Sequence, residues 1–273
     1  MRRSQSWTLL AFLTFTLMVG CTPAATTIPQ TAAPPTPTPT PHVACKFQTE
    51  GAIYSPPAVN GGVIYFGSND HYLYAVNAQT RELEWKFETK DEVRSRPTIV
   101  EGIAYFTSDD GYLYAVHTQT GSEKWRFDIG GDVFRRSWDY LQSSPIVASG
   151  IVYVGSSDAN FYALDAQTGQ EKWRFSYGTS WVESSATVVD GVVYAGSSNA
   201  YKLYALDSET GQQKWEFNVQ RWAWSDPAVA DGTVYIGGTE NDYRKSGYLH
   251  AVDAQTGNEK VATGDRAIAG PYF

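Results

Sequence analysis

The chain has 273 residues, 42% of them hydrophobic and 18% charged, which is enough to bury a substantial core. Its formal charge is −8 with no basic block, so it lacks the positive charge with which general nucleic-acid binders hold phosphates. Two cysteines and four histidines (His42, His71, His117, His250), without CxxC, CxxCH, HExxH or metal-ligand spacing, exclude a disulfide framework and argue against zinc or covalent haem.

Residues 1–20 place Arg2 and Arg3 before an apolar run from Trp7 to Val19. That run is short for a membrane span and has the layout of a signal peptide. It ends LMVGC at Cys21, which resembles the bacterial lipobox, with Met18 where the pattern prefers leucine. The expectation is a lipoprotein whose lipidated mature N-terminus is Cys21; an ordinary secretory leader is the blander alternative. Loss of the leader would leave 19 basic residues against 29 acidic ones, a charge of −10. Residues 21–42 are dominated by proline and threonine, without charge or apolar period. They read as a disordered, semi-rigid tether of about 3 Å per residue where polyproline-like.

Residues 43–273 read as strands and turns in five copies of one pattern. The copies are YAVNAQTRELEWKF (74–87), YAVHTQTGSEKWRF (114–127), YALDAQTGQEKWRF (162–175), YALDSETGQQKWEF (204–217) and HAVDAQTGNEKVAT (250–263). The structural blade tryptophans Trp85, Trp125, Trp173 and Trp215 recur every 40–48 residues, a period that signals a propeller or solenoid. Each copy divides into four strands. The first starts near a proline in most copies: SPPAV (55–59), SRPTIV (95–100), SSPIVA (143–148), SSATVV (184–189) and SDPAVA (225–230). A glycine turn leads to the second (VIYFGS, IAYFTS, IVYVGS, VVYAGS, TVYIGG), apolar on both faces and closed by small residues. The third is of the YxLYAL type and the fourth of the WxF type.

The turn between strands three and four, Asp-Ala-Gln-Thr-Gly at 165–169 and 253–257, offers a side-chain acceptor for amides ahead and a glycine for φ > 0. Arg81 replaces that glycine in the first copy, and Asn77 and His117 replace the aspartate in two copies. Those turns are expected to be less regular. The repeated tryptophans and Tyr65, Tyr105, Tyr153, Tyr194 and Tyr235 are expected to pack blade on blade.

The pattern YALDaxTGxxxWxF after GxVYxGS resembles the PQQ-like β-propeller repeat. That repeat occurs in pyrroloquinoline quinone dehydrogenases and in the propeller lipoprotein of the outer-membrane β-barrel assembly machine. The resemblance runs from Val43 to the C-terminus. It implies an all-β propeller of four-stranded blades, with five recognisable repeats forming a closed five-bladed ring or a truncated arc; the narrower expectation is the ring. Cys45-Lys46-Phe47 aligns with Trp-x-Phe, Val261 stands at a tryptophan position, and residues 269–273 look like the start of another first strand. Two stretches, 43–48 and 258–263, therefore compete for the outer edge of the last blade.

Connections from strand four to the next strand one, and from strand two to strand three, share one rim of a propeller. The first group holds Arg94, Arg96, Arg135, Arg136, Trp138, Trp181, Arg221, Trp222 and Trp224, types enriched in binding hot spots and not required by the repeat. These are the candidate partner-binding residues; plugging of the channel is the alternative. No residue can be matched to a quinone or calcium site of the dehydrogenases, and no adjacent cysteines exist, so no catalytic, cofactor-binding or metal residue is assigned. The reading is a non-catalytic, lipid-anchored extracytoplasmic scaffold or envelope assembly factor. It would sit on the periplasmic side of an outer membrane or at the cell surface, with envelope or cell-surface proteins as partners and no nucleic acid. A quinone-dependent dehydrogenase and a cell-surface sugar- or peptide-binding lipoprotein are the alternatives.

Overall fold

Runs of Val, Ile, Leu and Tyr of five or six residues, punctuated by glycine turns, form short antiparallel strands, and among the described residues these are the regular elements. The computed structural model describes residues 46–130, 143–178, 184–219, 223, 225–239 and 247–260. By its contacts the chain divides into Met1–Ala44 and Cys45–Phe273, and all described residues belong to the second unit. The leader, the tether and Cys21 lie outside the described residues. No helix among the described residues is long and apolar enough to cross a membrane.

Each repeat is an antiparallel meander, here called a blade. Blade 1 comprises β1 (Ala58–Asn60), β2 (Val63–Gly67), β3 (Tyr72–Asn77) and β4 (Leu83–Glu88). Blade 2 comprises β5 (Thr98–Val100), β6 (Ile103–Thr107), β7 (Tyr112–His117) and β8 (Glu123–Asp128). Blade 3 comprises β9 (Ile146–Ala148), β10 (Ile151–Gly155), β11 (Asn160–Asp165) and β12 (Glu171–Ser176). Blade 4 comprises β13 (Thr187–Val189), β14 (Val192–Ser197), β15 (Lys202–Asp207) and β16 (Gln213–Asn218). Blade 5 has three strands, β17 (Ala228–Ala230), β18 (Thr233–Thr239) and β19 (Gly247–Asp253), with a single bridge from Val252 to Glu259 beyond them. The inner strands adjoin in the order β1, β5, β9, β13, β17, and closure of β17 onto β1 is not seen. The first strands are shorter than the sequence suggests. The residues that open each one, a serine and in four of the five copies a proline, stand outside the ladder, and proline has no N–H to give it.

The backbone of the turn after the third strand is the same in every blade, and in all but blade 2, where His117 stands at the acceptor position, a side chain caps it. Asp165 Oδ1 accepts from Gln167 N (3.0 Å), Thr168 N (2.9 Å) and Thr168 Oγ1 (2.9 Å), while Gly169 at φ 71° returns its N–H to the Asp165 carbonyl at 2.8 Å. These bonds hold the Asp165 carboxyl below its usual range, and the Thr210 hydroxyl, with the Lys214 ammonium and the turn amides, takes Asp207 to about 2. The expected irregularity of the first turn is not found. Asn77 Oδ1 takes the two amides at 3.0 Å each, and Arg81 adopts φ 69° with its N–H 2.9 Å from the Asn77 carbonyl. Backbone bonds fix this turn, and the arginine accepts the left-handed strain.

The core lies between blades. In each joint the tyrosine of strand two and the tryptophan of strand four point at one carbonyl in the next blade's turn. Trp125 Nε1 (3.1 Å) and the Tyr105 hydroxyl (3.0 Å) both donate to the Ala166 carbonyl. Trp173 and Tyr153 share Ser208 at 3.0 Å each, and Trp215 (3.0 Å) and Tyr194 (3.3 Å) share Ala254. Trp85 donates to the Thr118 carbonyl at 2.7 Å, with Tyr65 bonded to the same residue. The turn glycine lies under the indole: a Cβ at Gly169 would stand 2.6 Å from Trp125, and one at Gly211 2.7 Å from Trp173. Glycine is thus required twice there, for its φ and for the ring above it. Burial raises the joint tyrosines, taking Tyr105 to about 12.

Tyr235 corrects one expectation. Its four counterparts are buried, but it is 37% exposed, since among the described residues no further blade packs on it.

A candidate binding rim

The rim where strands two and three meet is built by repeated polar staples. Asp70, Asp110 and Asp158 accept from the hydroxyls of Tyr74 (2.8 Å), Tyr114 (2.7 Å) and Tyr162 (2.5 Å), four residues further on. Asp70 and Asp110 also take the backbone N–H of Glu50 and Lys90, each at 3.0 Å, from the segment arriving from the previous repeat. Asp70 and Asp110 therefore tie a turn of one blade to an incoming connection, and burial, with the bond to the carboxylate, pushes all three tyrosine pKa values upward.

The connections leave and re-enter this rim at equivalent points. Thr89, Ile129, Tyr177 and Val219 donate their N–H to the carbonyls of His71, Gly111, Ala159 and Tyr201 at 2.8–2.9 Å. On the return, Ser95 bonds both backbone atoms of Thr107 (2.8 and 2.9 Å), Ser143 accepts from Gly155 N (3.0 Å), and Ser225 accepts from Gly237 N (2.8 Å). Ser184 donates to the Gly196 carbonyl at 3.3 Å. A further set of bonds runs around the inner edge: Arg96 N to Ser144 Oγ (3.0 Å), Ser144 N to Ser185 Oγ (3.1 Å) and Ser185 N to Asp226 Oδ1 (2.6 Å). Pro56 holds the matching place in blade 1 and has no N–H to contribute. These staples were not legible in the sequence, although the recurrent serine before the first strand was their signal.

Two of the nine candidate rim residues are described. Arg94 is clamped between Glu92 and Asp109, 2.6 Å from the latter, so its guanidinium joins a connection to a turn of blade 2. Arg96 is exposed, and only its backbone is engaged by Ser144. Arg135, Arg136, Trp138, Trp181, Arg221, Trp222 and Trp224 lie outside the described residues. The ends of their segments are described, and Gly130, Ser143, Gly178, Ser184, Val219 and Ser225 all belong to the bond sets of this one rim or adjoin them. No group of three or more His, Cys, Asp or Glu that could hold a metal occurs among the described residues.

A repeat of four antiparallel strands, joined through tryptophan and turn glycine, defines a PQQ-like β-propeller. Residues 42–173 and 128–267 match the family described as outer membrane protein assembly factor BamB, and the chain belongs to that family. The BamB structure from Moraxella catarrhalis is similar, at 20% identity and a TM-score of 0.67, covering 79% of this chain and 66% of its own. The computationally designed Ika8 protein (18%, 0.63) is covered over 60% of its length by 76% of this chain. Quinohemoprotein alcohol dehydrogenase from Comamonas testosteroni (16%, 0.63) is covered over 43% of its length by 82% of this chain. At these identities the likeness shows the fold, and the chain spans 66% or less of these solved structures. The search of curated proteins returned no match.

Proposed function

We propose that the chain is a non-catalytic scaffold, anchored through lipidated Cys21 outside the cytoplasm, that binds envelope proteins at the connection rim. The observation that carries this reading is how the aromatic residues are spent. Trp85, Trp125, Trp173 and Trp215 each give their indole N–H to the next blade. Trp138, Trp181, Trp222 and Trp224 have no such place in the repeat, and their segments spring from one rim. Membership of the assembly-factor family supports envelope proteins as the partner class.

The test is capture of detergent-solubilised envelope proteins by the intact chain and by a Trp222→Ala, Trp224→Ala variant. The variant should unfold as the parent does and weaken capture at least about tenfold, as loss of hot-spot aromatics does. Undiminished capture would remove the rim from the reading. Cys21→Ser should release the chain from membranes, and retention there would count against the anchor.

The likeness to a quinohemoprotein dehydrogenase favours a second reading, a quinone-dependent enzyme. That reading requires pyrroloquinoline quinone with calcium to raise the melting temperature by mass action; the scaffold reading expects no shift.

A further inference from the structure

Two residues before each first strand, one position per blade lies on the inner edge of the rim: Pro56, Arg96, Ser144, Ser185 and Asp226. Three of the four steps between them are closed by the same kind of bond. A backbone N–H of one blade donates to the side-chain oxygen at this place in the next. Ser144, Ser185 and Asp226 are therefore each held in line by the amide behind them. The neighbouring residues are fixed as well. Pro97, Pro145 and Pro227 are buried, Thr98 Oγ1 donates to the Pro145 carbonyl at 2.6 Å, and Thr187 Oγ1 donates to that of Pro227.

The fold asks this row for an acceptor and nothing more. Ser144 and Ser185 supply one with an uncharged hydroxyl. Asp226 gives Ser185 N the same acceptor through Oδ1 and adds a charge for which the row has no use. Arg96 contributes only its backbone N–H, and no side chain is called for at its place, since Pro56 behind it has no N–H to give. Both residues are exposed, at opposite ends of the row. Among the described residues the Arg96 guanidinium meets no carboxylate, and no lysine or arginine meets Asp226. Arg94 shows the contrast, with its guanidinium taken up by Glu92 and Asp109.

Between these two charges stand two hydroxyls with hydrogens to give. The oxygens of Ser144 and Ser185 already accept from Arg96 N and Ser144 N, and among the described residues neither hydroxyl hydrogen has an acceptor. The row thus offers, in order, a guanidinium, two hydroxyl donors and a carboxylate. Each step is one hydrogen bond and a short side chain, about 5 Å, so the three steps run roughly 15 Å. An extended peptide advances about 3.3 Å per residue and carries carbonyl oxygens along its length, so roughly five residues of it match the row.

We infer that the inner edge from Arg96 to Asp226 takes an extended segment of a partner protein that carries an acidic and a basic side chain about four positions apart. The carboxylate meets Arg96, the ammonium meets Asp226, and the carbonyls between them accept from Ser144 and Ser185. This deepens the rim reading by naming the chemistry of the partner segment, and it rests on that reading for the partner's being a protein. Both ion pairs are exposed to solvent, so the affinity falls as salt rises.

The experiment is fluorescence anisotropy of a labelled, end-blocked peptide of lysine, three alanines and glutamate, titrated with the intact chain in detergent at low and high salt. The peptide should bind saturably, and more weakly at high salt. Arg96→Gln and Asp226→Asn should each weaken binding roughly fivefold, the worth of one exposed ion pair. Neither should move the unfolding curve, because the first keeps the backbone N–H and the second keeps an oxygen for Ser185 N. A peptide with glutamine in place of both charged residues should respond neither to salt nor to the variants. Absence of saturable binding overturns the inference, as does binding that both variants leave unchanged. Binding of free-ended pentaalanine but not of the blocked peptide also overturns it, since the row would then read chain termini. The titration contains no envelope protein, so its failure leaves the capture test at Trp222 and Trp224 standing, and failure of that test leaves the titration standing.

Discussion

Gly211 illustrates how tightly one residue can be held by two unrelated demands. Its φ of 72° favours a residue without a Cβ, and the Trp173 ring occupies the space that a Cβ would take. Left-handed strain of about 1–2 kcal/mol and overpacking of about 1–3 kcal/mol should therefore both appear in Gly211→Ala. Urea unfolding is expected to show a loss of roughly 2–5 kcal/mol. Arg81→Gly, at the equivalent turn without an indole above it, should instead be neutral or stabilising by up to about 1 kcal/mol, since only the strain is relieved. Equal effects at the two sites would mean that the ring contact contributes nothing. The sequence shows Arg81 as an irregularity. Only the coordinates show that the turn absorbs it, because the carbonyl of Asn77 and not the side chain at 81 sets the geometry.

The blade joint is the element that the sequence announced most clearly and explained least. A tryptophan and a tyrosine recurring with the repeat point to packing. That both donate to a single carbonyl of the next hairpin depends on the register of β2, β3 and β4 within one sheet and on the neighbour's turn. No one-repeat pattern contains that information. The joint has a pH signature. Burial holds the Tyr105 hydroxyl at about 12, above the usual value of about 10. The folded state resists ionisation more than the unfolded chain, so the stability contributed by this group is whole below about pH 10 and is lost as pH rises through about 12. Melting curves from pH 9 to about 12 should fall, and Tyr105→Phe should fall less steeply from a lower starting point. The lower start reflects the hydrogen bond lost to Ala166, worth about 1 kcal/mol. A variant with the parent's slope would show that Tyr105 is not among the groups responsible.

At the scale of the molecule, stability follows from position along the array. Blade 3 is covered on both faces, while blade 5 leaves Tyr235, Tyr248 and Leu249 exposed. In a repeat architecture, where each unit is held by its neighbours, the uncovered end opens first. Hydrogen exchange at concentrations low enough to keep single chains should find β17–β19 less protected than β9–β12; equal protection would indicate that the array unfolds as one unit. The propeller class and its repeat boundaries were readable because every copy has to satisfy the same neighbour contacts. How the array ends was not, since Cys45, Val261 and Arg81 depart from the repeat without saying what stands beside them. The rim was half legible. The surplus tryptophans and arginines stood out, but the engagement of Arg94 by Glu92 and Asp109 required the fold.

The direction of the blade joint also bears on how the chain comes into being. Donors on each blade always wait for a carbonyl on the following one, as Tyr153 and Trp173 wait for Ser208. At about 5–20 residues per second, a repeat of 40–48 residues emerges in roughly 2–10 seconds. For that interval the newest blade has its leucine bare and two polar hydrogens without a protein acceptor. Each blade is then sealed by its successor, so the vulnerable surface of a nascent chain travels outward one blade at a time.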